Sequence, residues 1–288
     1  MEVWILSDGK AGHVNQSHGL AQALARLTTV HISTILVVHF WDARRAGRAL
    51  PRPDLILAAG HRTHLAALLA RRTHGGKIVV LMKPTWPTGL FDLCLIPEHD
   101  GAQTTGNIIA TRGALNPITP GRLEPGRGLI LIGGPSPHHA WDDAAVVAQV
   151  RAIAQATPDT DWELTTSRRT PTGFDARLGA FPNLRVTPVE QTGPDWVPAR
   201  LARAAQVWVT ADSVSMIYEA LTAGAAVGLL EVPYRRRSRV VRGVEQLLHD
   251  RLVTTFAAWR TGQPLHPPAS PLREADRCAA LIRERFGL

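Results

Sequence analysis

The chain has 288 residues, 45% hydrophobic and 19% charged, a composition that suits two globular domains and excludes a low-complexity or fibrous chain. No segment approaches the roughly 20 uninterrupted apolar residues that a membrane-spanning helix needs. The formal net charge of +8, carried mostly by arginine, points to anionic partners such as phosphate groups or lipid heads. The densest basic run, Arg235-Arg236-Arg237 with Arg239 and Arg242, is not interleaved with base-stacking aromatics, which argues against nucleic acid.

In chain order, short Val/Ile/Leu-rich runs are predicted as strands at Val3–Ser7, Ile32–Val38, Leu55–Ala59, Ile78–Met82, Leu93–Ile96 and Ile108–Ala110. They are nearly continuous rather than alternating, as in parallel strands buried on both faces. Helical patterns at His18–Leu27 and Thr63–Arg71 lie between them. Residues 113–128 hold three prolines and four glycines without apolar periodicity, and a linker is set at 116–127. The alternation then resumes with strands at Leu129–Ile132, Glu163–Thr166, Arg185–Pro188, Val207–Val209 and Val227–Leu230. Helices are expected at Asp142–Ala156, Trp196–Ala205 and Ser213–Ala223, with a tail helix over Leu272–Phe286. The fold class that follows is α/β, with two doubly wound Rossmann-like domains facing across a cleft. The domains are 1–115 and 128–288, with the tail helix free to pack back on the first. Cys94 lies in an apolar run far from Cys278 and reads as a buried small hydrophobe rather than a disulfide partner. With no basic stretch leading into an apolar one at the N-terminus, a cytoplasmic location is expected.

In open parallel sheets ligands bind beyond the carboxyl ends of the strands, so the loops after strands hold the candidates. The segment Thr210–Gly224 ends a strand and opens a helix with Asp212 or Ser213 as its cap. Val214, Ile217 and Leu221 form the expected buried stripe; Ser215, Glu219 and Thr222 fall on another face. The helix start is a ready anion site, with Ser213 and Ser215 as hydroxyl donors and Glu219 one turn on. That offset suits a pyrophosphate at the helix start and ribose hydroxyls on the carboxylate; a capped helix with a surface glutamate is the plain alternative. Gly133-Gly134, followed by Ser136, lets the backbone approach a ligand closely, although a turn has the same need. Ser167, Arg168 and Arg169, again after a strand, have the hydroxyls and guanidiniums to clamp phosphate oxygens.

In the first half, Ser7–His13 joins the first strand to the first helix. Neither GxGxxG here nor GxxxxGK[ST] anywhere is present, so nicotinamide binding and a P-loop are poorly supported. His13 suits a general base, with Asp8 orienting it or serving itself; a histidine that merely caps a loop is the alternative. His61 and Glu98 are further cleft-side candidates. His61, His64 and His74 lack the spacing of a known metal site, so no metal is expected.

The segments SDGKAGHVNQ (7–16), PEHDG (97–101), LIGGPSPH (131–138), TTSRRTP (165–171) and TADSVSMIYEALTAG (210–224) resemble, in order, the mitochondrial-fission family typified by the plant elongated-mitochondria protein. More distantly the chain resembles glycosyltransferases of the B-type fold. The resemblance implies that Gly12 and His13 face an acceptor; Asn15, Gln16, His61 and Glu98 are expected in the same acceptor cleft. It implies that Ser213, Ser215 and Glu219 bind the nucleotide. Two positions depart from the family pattern: Ala211 stands where an acidic residue is usual, and Gly224-Ala225-Ala226 where Gly-Lys-Pro is usual.

The function expected is metal-independent transfer of a sugar from a nucleotide-diphosphate sugar, a substrate rather than a cofactor, to a cell-envelope or lipid-linked acceptor. A nucleotide-sugar epimerase and a non-catalytic membrane-surface adaptor are the alternatives. The Tyr234–Arg242 run raises the expectation of a peripheral contact with an anionic membrane surface, the inner face of the plasma membrane.

Overall fold

The computed structural model describes residues 1–288 except the side chain of Arg239, so that member of the basic run lies outside the described residues. The chain divides into two compact units, Met1–Pro117 with Arg273–Leu288, and Ile118–Leu272.

The first unit alternates β1 (Glu2–Ser7), α1 (Ala11–Ala25), β2 (His31–Leu36), the short α2 (Asp42–Ala46), β3 (Leu55–Ala59), α3 (His61–His74), β4 (Lys77–Leu81), β5 (Leu93–Pro97) and β6 (Ile108–Thr111). Its strands form one parallel sheet in the order β2-β1-β3-β4-β5-β6. The inner strands are buried on both faces, as in β3, where every residue is withdrawn from solvent. The edge strand β2 departs from that expectation. Ile35 and Val37 point inward while Ile32, Leu36 and Val38 are exposed, because the pleat alternates and only one face is covered. Helix α1 starts seven residues before the predicted His18. The N–H groups of His13 and Val14 both donate to Lys10 O at 3.0 Å. No side chain caps this helix and its first turn has no acidic residue, so the usual start signals were missing from the sequence.

The second unit contains β7 (Glu124–Leu131), α4 (Asp143–Ala156), β8 (Asp161–Thr165), α5 (Phe174–Leu178), β9 (Leu184–Thr187), α6 (Trp196–Leu201), β10 (Ala204–Thr210), α7 (Val214–Ala223), β11 (Ala226–Leu230), α8 (Arg239–His249), β12 (Thr254–Thr255) and α9 (Phe256–Arg260). The sheet is parallel in the order β12-β11-β10-β7-β8-β9. Strand β7 begins inside the stretch read as linker, because Glu124 N–H donates to Arg203 O at 2.7 Å and extends the pairing with β10. Two wholly buried tryptophans fill this sheet by lying over glycines of the neighbouring strand. A Cβ on Gly128 would lie 2.2 Å from the Trp162 ring, and one on Gly228 2.4 Å from Trp208. Helix α8 occupies part of the basic run. Ser238 caps it through Val241 N–H, and Val241, Val244 and Leu247 anchor it.

The tail forms α10 (Glu274–Phe286) and belongs to the first unit. Its Cys278, Ala279 and Ile282 share a core with Leu20 and Leu24 of α1. Arg26 pairs with Asp276, and Arg112 N–H donates to Glu274 at 2.9 Å. Both cysteines are free and buried, and burial pushes their thiols up, to about 11 for Cys94 and about 12 for Cys278. Among the described residues no helix is long and apolar enough to cross a membrane.

Candidate functional site

Each sheet reverses its strand order once, between β1 and β3 in the first unit and between β7 and β10 in the second. In doubly wound sheets the crevice beyond such a reversal is where ligands bind. The sequence-predicted residues cluster at these two places.

At the first reversal, the turn leaving β1 carries Asp8, whose side chain is wholly buried. His13, on the first turn of α1, donates from Nδ1 to both carboxylate oxygens at 2.9 and 3.0 Å. Burial of the Asp8 carboxyl raises its pKa. The His13 hydrogen bond, the Lys10 N–H and the neighbouring positive charges outweigh it, and the net shift is downward. The carboxylate therefore stays ionised and orients the ring through a proton on Nδ1. Gly60, at the end of β3 with φ +90°, makes the pair possible. A Cβ there would sit 2.5 Å from His13 Nδ1 and 2.9 Å from Asp8 Oδ2. Sequence reading passed over Gly60; a glycine directly after a strand and before a helix was its signal.

The remaining first-unit candidates separate. Gly12 and Asn15 are exposed on α1. Gln16 turns inward, its Nε2 donating to Gly12 O at 3.3 Å and lying 3.4 Å from Met82 Sδ. His61 is exposed at the start of α3 and Glu98 is exposed in the turn after β5. His64 faces the core, where burial and then the charge of His61 lower its pKa to about 4. A cavity of about 430 Å³ opens after β4 and β5, lined by Lys83, Pro84, Trp86, Ile96 and Asp100 among others.

At the second reversal, the loops after β8, β7 and β10 meet on Asp212, whose side chain is wholly buried. Its Oδ2 accepts from Gly134 N–H at 3.1 Å and from the Arg169 guanidinium at 2.7 Å. Gly133 N–H donates to Thr210 Oγ1 at 2.7 Å. Both glycine N–H groups are thus used inside the protein. The glycines are needed because three loops pack there: Cβ atoms would meet the Asp212 carboxylate at 2.4 Å and Arg169 O at 2.2 Å. Ser167 Oγ donates to Gly133 O, and Ser136 Oγ accepts from the N–H of His138 and His139. Arg169 is the arginine built into this hub; Arg168 is exposed. His139 is buried against it. Burial lowers its pKa, Asp212 opposes that, and His138 and Arg169 add to the lowering. The backbone of 138–140 pairs with 233–235, which ties the start of the arginine run to this loop. Within the run, Arg237 pairs with Glu245 at 2.9 Å.

From this hub starts α7. Ser213 precedes it without making a side-chain cap, so the first-turn N–H groups remain open to an anion. Ser215 is exposed. Thr222, expected beside it, is buried and donates to Tyr218 O at 2.7 Å. Glu219 keeps part of its surface in solvent but has no ion-pair or hydrogen-bond partner among the described residues. Burial among apolar neighbours pushes its carboxyl up to about 7. A carboxyl so placed gains from any hydroxyl that reaches it. Among the described residues no cluster of three or more His, Cys, Asp or Glu could hold a metal ion.

The fold is shared with solved nucleotide-sugar enzymes. A candidate UDP-N-acetylglucosamine 2-epimerase from Listeria monocytogenes superposes with a TM-score of 0.63 at 13% identity, covering 99% of this chain and 96% of that one. The UDP-GlcNAc 2-epimerase of Neisseria meningitidis, bound to UDP-GlcNAc, gives 0.57 at 10% identity, covering 99% of each. The glycosyltransferase of kitacinnamycin gives 0.56 at 15%, covering 99% and 98%. Identities this low establish the two-unit B-type glycosyltransferase fold alone. In sequence, an uncharacterized protein of Rickettsia prowazekii (strain Madrid E) is 30% identical over a segment covering 35% of this chain and 32% of that protein, so the match spans about a third of that relative's length. The model of one family, mitochondrial fission ELM1, matches residues 11–286, nearly the whole chain, and the chain belongs to that family.

Proposed function

We propose that the protein binds a nucleotide-diphosphate sugar on its second unit and transfers the sugar to an acceptor hydroxyl. The observation that carries the reading is Glu219. It is a partnerless carboxyl with its pKa pushed up to about 7, one turn from the uncapped start of α7 at the strand-order reversal. The diphosphate sits on the α7 N–H groups with Ser213 and Ser215, and the ribose hydroxyls donate to Glu219. Arg168 is exposed beside the hub and reaches the phosphates from solvent. Gly133, Gly134, Ser136 and Ser167 shape the floor through the packing of their loops. His13 Nε2 takes the acceptor proton as the new glycosidic bond forms, while the nucleotide diphosphate leaves with the electrons of the broken bond. Asp8 stabilises the resulting imidazolium. The cavity beside Lys83 and Trp86 offers room for the acceptor, for which a cell-envelope or lipid-linked hydroxyl is our choice.

A second reading, nucleotide-sugar epimerase, draws on the likeness to the two epimerase structures. Acceptor dependence separates the two. Thermal-shift screening with UDP, ADP and their sugars tests the binding step: a ligand at 100 times its Kd adds about 2.7 kcal/mol of stability. No shift with any nucleoside diphosphate or its sugar sinks both readings. Release of nucleotide only when an acceptor is present supports transfer.

A further inference from the structure

One surface of the first unit lies outside the candidate site. At the end of edge strand β2, Leu36, Val38, Phe40 and Trp41 are 58%, 70%, 45% and 42% exposed. Isolated exposed apolar residues are ordinary, but a contiguous set of this kind marks an interaction surface. It is also built rather than loose. Asp42 Oδ2 accepts from Val38 N–H at 2.9 Å and from His39 N–H at 2.7 Å, which fixes the turn. The Trp41 ring stacks on His39 at 5.3 Å and meets the Phe40 edge at 4.5 Å.

Charge identifies the partner. Arg44, Arg45 and Arg48 follow directly, all exposed. From Leu36 to Ala49 the only acidic residue is Asp42, and its carboxylate is turned to the loop backbone. A broad hollow of about 630 Å³ beside the loop is lined by Leu36, Ala49 and Leu50, with Ser33, Asp42 and Arg45 on its polar side. Aromatic and aliphatic tips beside a belt of arginines are what the headgroup region of an anionic bilayer accepts. The rings enter the interface and the guanidiniums meet the phosphates.

From this we infer that the β2–α2 corner of the first unit is a docking surface for an anionic lipid bilayer. The arginine run of the second unit is not that surface. Among its described residues Tyr234 alone is an exposed large apolar side chain, and its backbone is tied to the loop at 138–140. Docking at the corner presents the adjacent turn to the membrane: Val37 N–H donates to Ser7 O at 2.8 Å, one residue before Asp8. The docking claim stands whether or not the sugar-transfer reading holds.

The test is co-sedimentation of the full chain with phosphatidylcholine vesicles containing about a third phosphatidylglycerol, against phosphatidylcholine alone. Wild type binds the anionic vesicles at 0.1 M salt and releases at 0.5 M, as charges within a Debye length require. The Phe40→Ala/Trp41→Ala variant loses at least ten-fold in partitioning. Each of Arg44→Gln, Arg45→Gln and Arg48→Gln loses about five-fold. Arg235→Gln/Arg236→Gln binds as wild type does. Brominated lipid quenches part of the wild-type tryptophan fluorescence, and Trp41→Phe abolishes that quenching, a readout that does not depend on the double variant folding. The inference is overturned by absent binding to anionic vesicles, by binding that these corner substitutions leave intact, or by loss confined to Arg235→Gln/Arg236→Gln. A dimer that forms through Phe40 and Trp41 without vesicle binding overturns it as well, and places a second copy on the corner.

Discussion

The two strand-order reversals are built alike and end differently. Each buries an aspartate completely, Asp8 in one unit and Asp212 in the other, and each leaves no room for a Cβ on a glycine beside the carboxylate. Asp8 is answered by an imidazole that keeps part of its surface in solvent. Asp212 is answered by a guanidinium and a backbone N–H. The same architectural position therefore pairs its aspartate with a solvent-reaching imidazole in the first unit and joins three loops in the second. Under the proposed function, binding in the second unit falls to the open start of α7 and to Glu219.

The comparison breaks first at His13. Under the transfer reading, His13→Ala lowers turnover by about 10²–10⁴-fold while nucleotide affinity, read by calorimetry, stays that of wild type. Full activity in that variant would leave the Asp8–His13 pair a structural clasp like its counterpart. Next comes the joint. Asp212→Ala strips a buried acceptor from Arg169 and Gly134. Because Arg169 is partly exposed, the expected loss is about 2–4 kcal/mol, at the low end of what breaking a buried pair costs. A shift in denaturant midpoint at constant slope measures it, and an unchanged midpoint removes the joint from the argument.

Glu219 sharpens the contrast through pH. Its folded pKa of about 7 exceeds the reference 4.5, so the folded state holds an extra proton between those values. Stability attributable to this group falls as pH rises from 4.5 to 7, and the penalty is complete above 7. Glu219→Gln is expected to be more stable than wild type at pH 8 by about 1–3 kcal/mol and equal to it below pH 4.5. The same variant binds nucleotide more weakly, by about 1–3 kcal/mol, if the ribose hydroxyls meet the carboxylate. Stabilisation without weakened binding would confine Glu219 to the fold. The smallest effect expected is at Gly60. Gly60→Ala places a side chain at φ +90° against the His13 ring, costing about 1–2 kcal/mol. Its diagnostic is a displaced His13 side-chain resonance in the NMR spectrum; an unmoved ring would show that the pair does not need the glycine.

Much of this arrangement was legible along the chain. The runs Val3–Ser7 and Leu55–Ala59 and the helix pattern of Val214–Ala223 are local signals, set by neighbours two to four residues apart. His13 lies five residues from Asp8, so their meeting is a short-range event across one strand-to-helix turn. Glu219 lies one helical turn from Ser215 by geometry alone. A helix start near Ser213 with a carboxyl one turn on could therefore be read before any fold was known; the expected side-chain cap from Asp212 or Ser213 is absent, because Asp212 is taken up by Arg169 and Gly134.

Other features exist only once strand order is set. Gly134 meets Asp212 across 78 residues of chain, and it does so because β7 and β10 became neighbours. That packing leaves no room for a Cβ on either Gly133 or Gly134. The position of β2 at the sheet edge left Leu36 and Val38 in solvent, although their composition resembles that of any buried strand. The tail helix joined the first unit through Cys278 and Ile282 against α1. Sequence alone determined the α/β class and most strands, since these depend on local propensity and periodicity. The tertiary structure alone decided which backbone donors were consumed, which glycines were obligatory and which apolar residues faced water, since these depend on contacts between segments that only the sheet brings together.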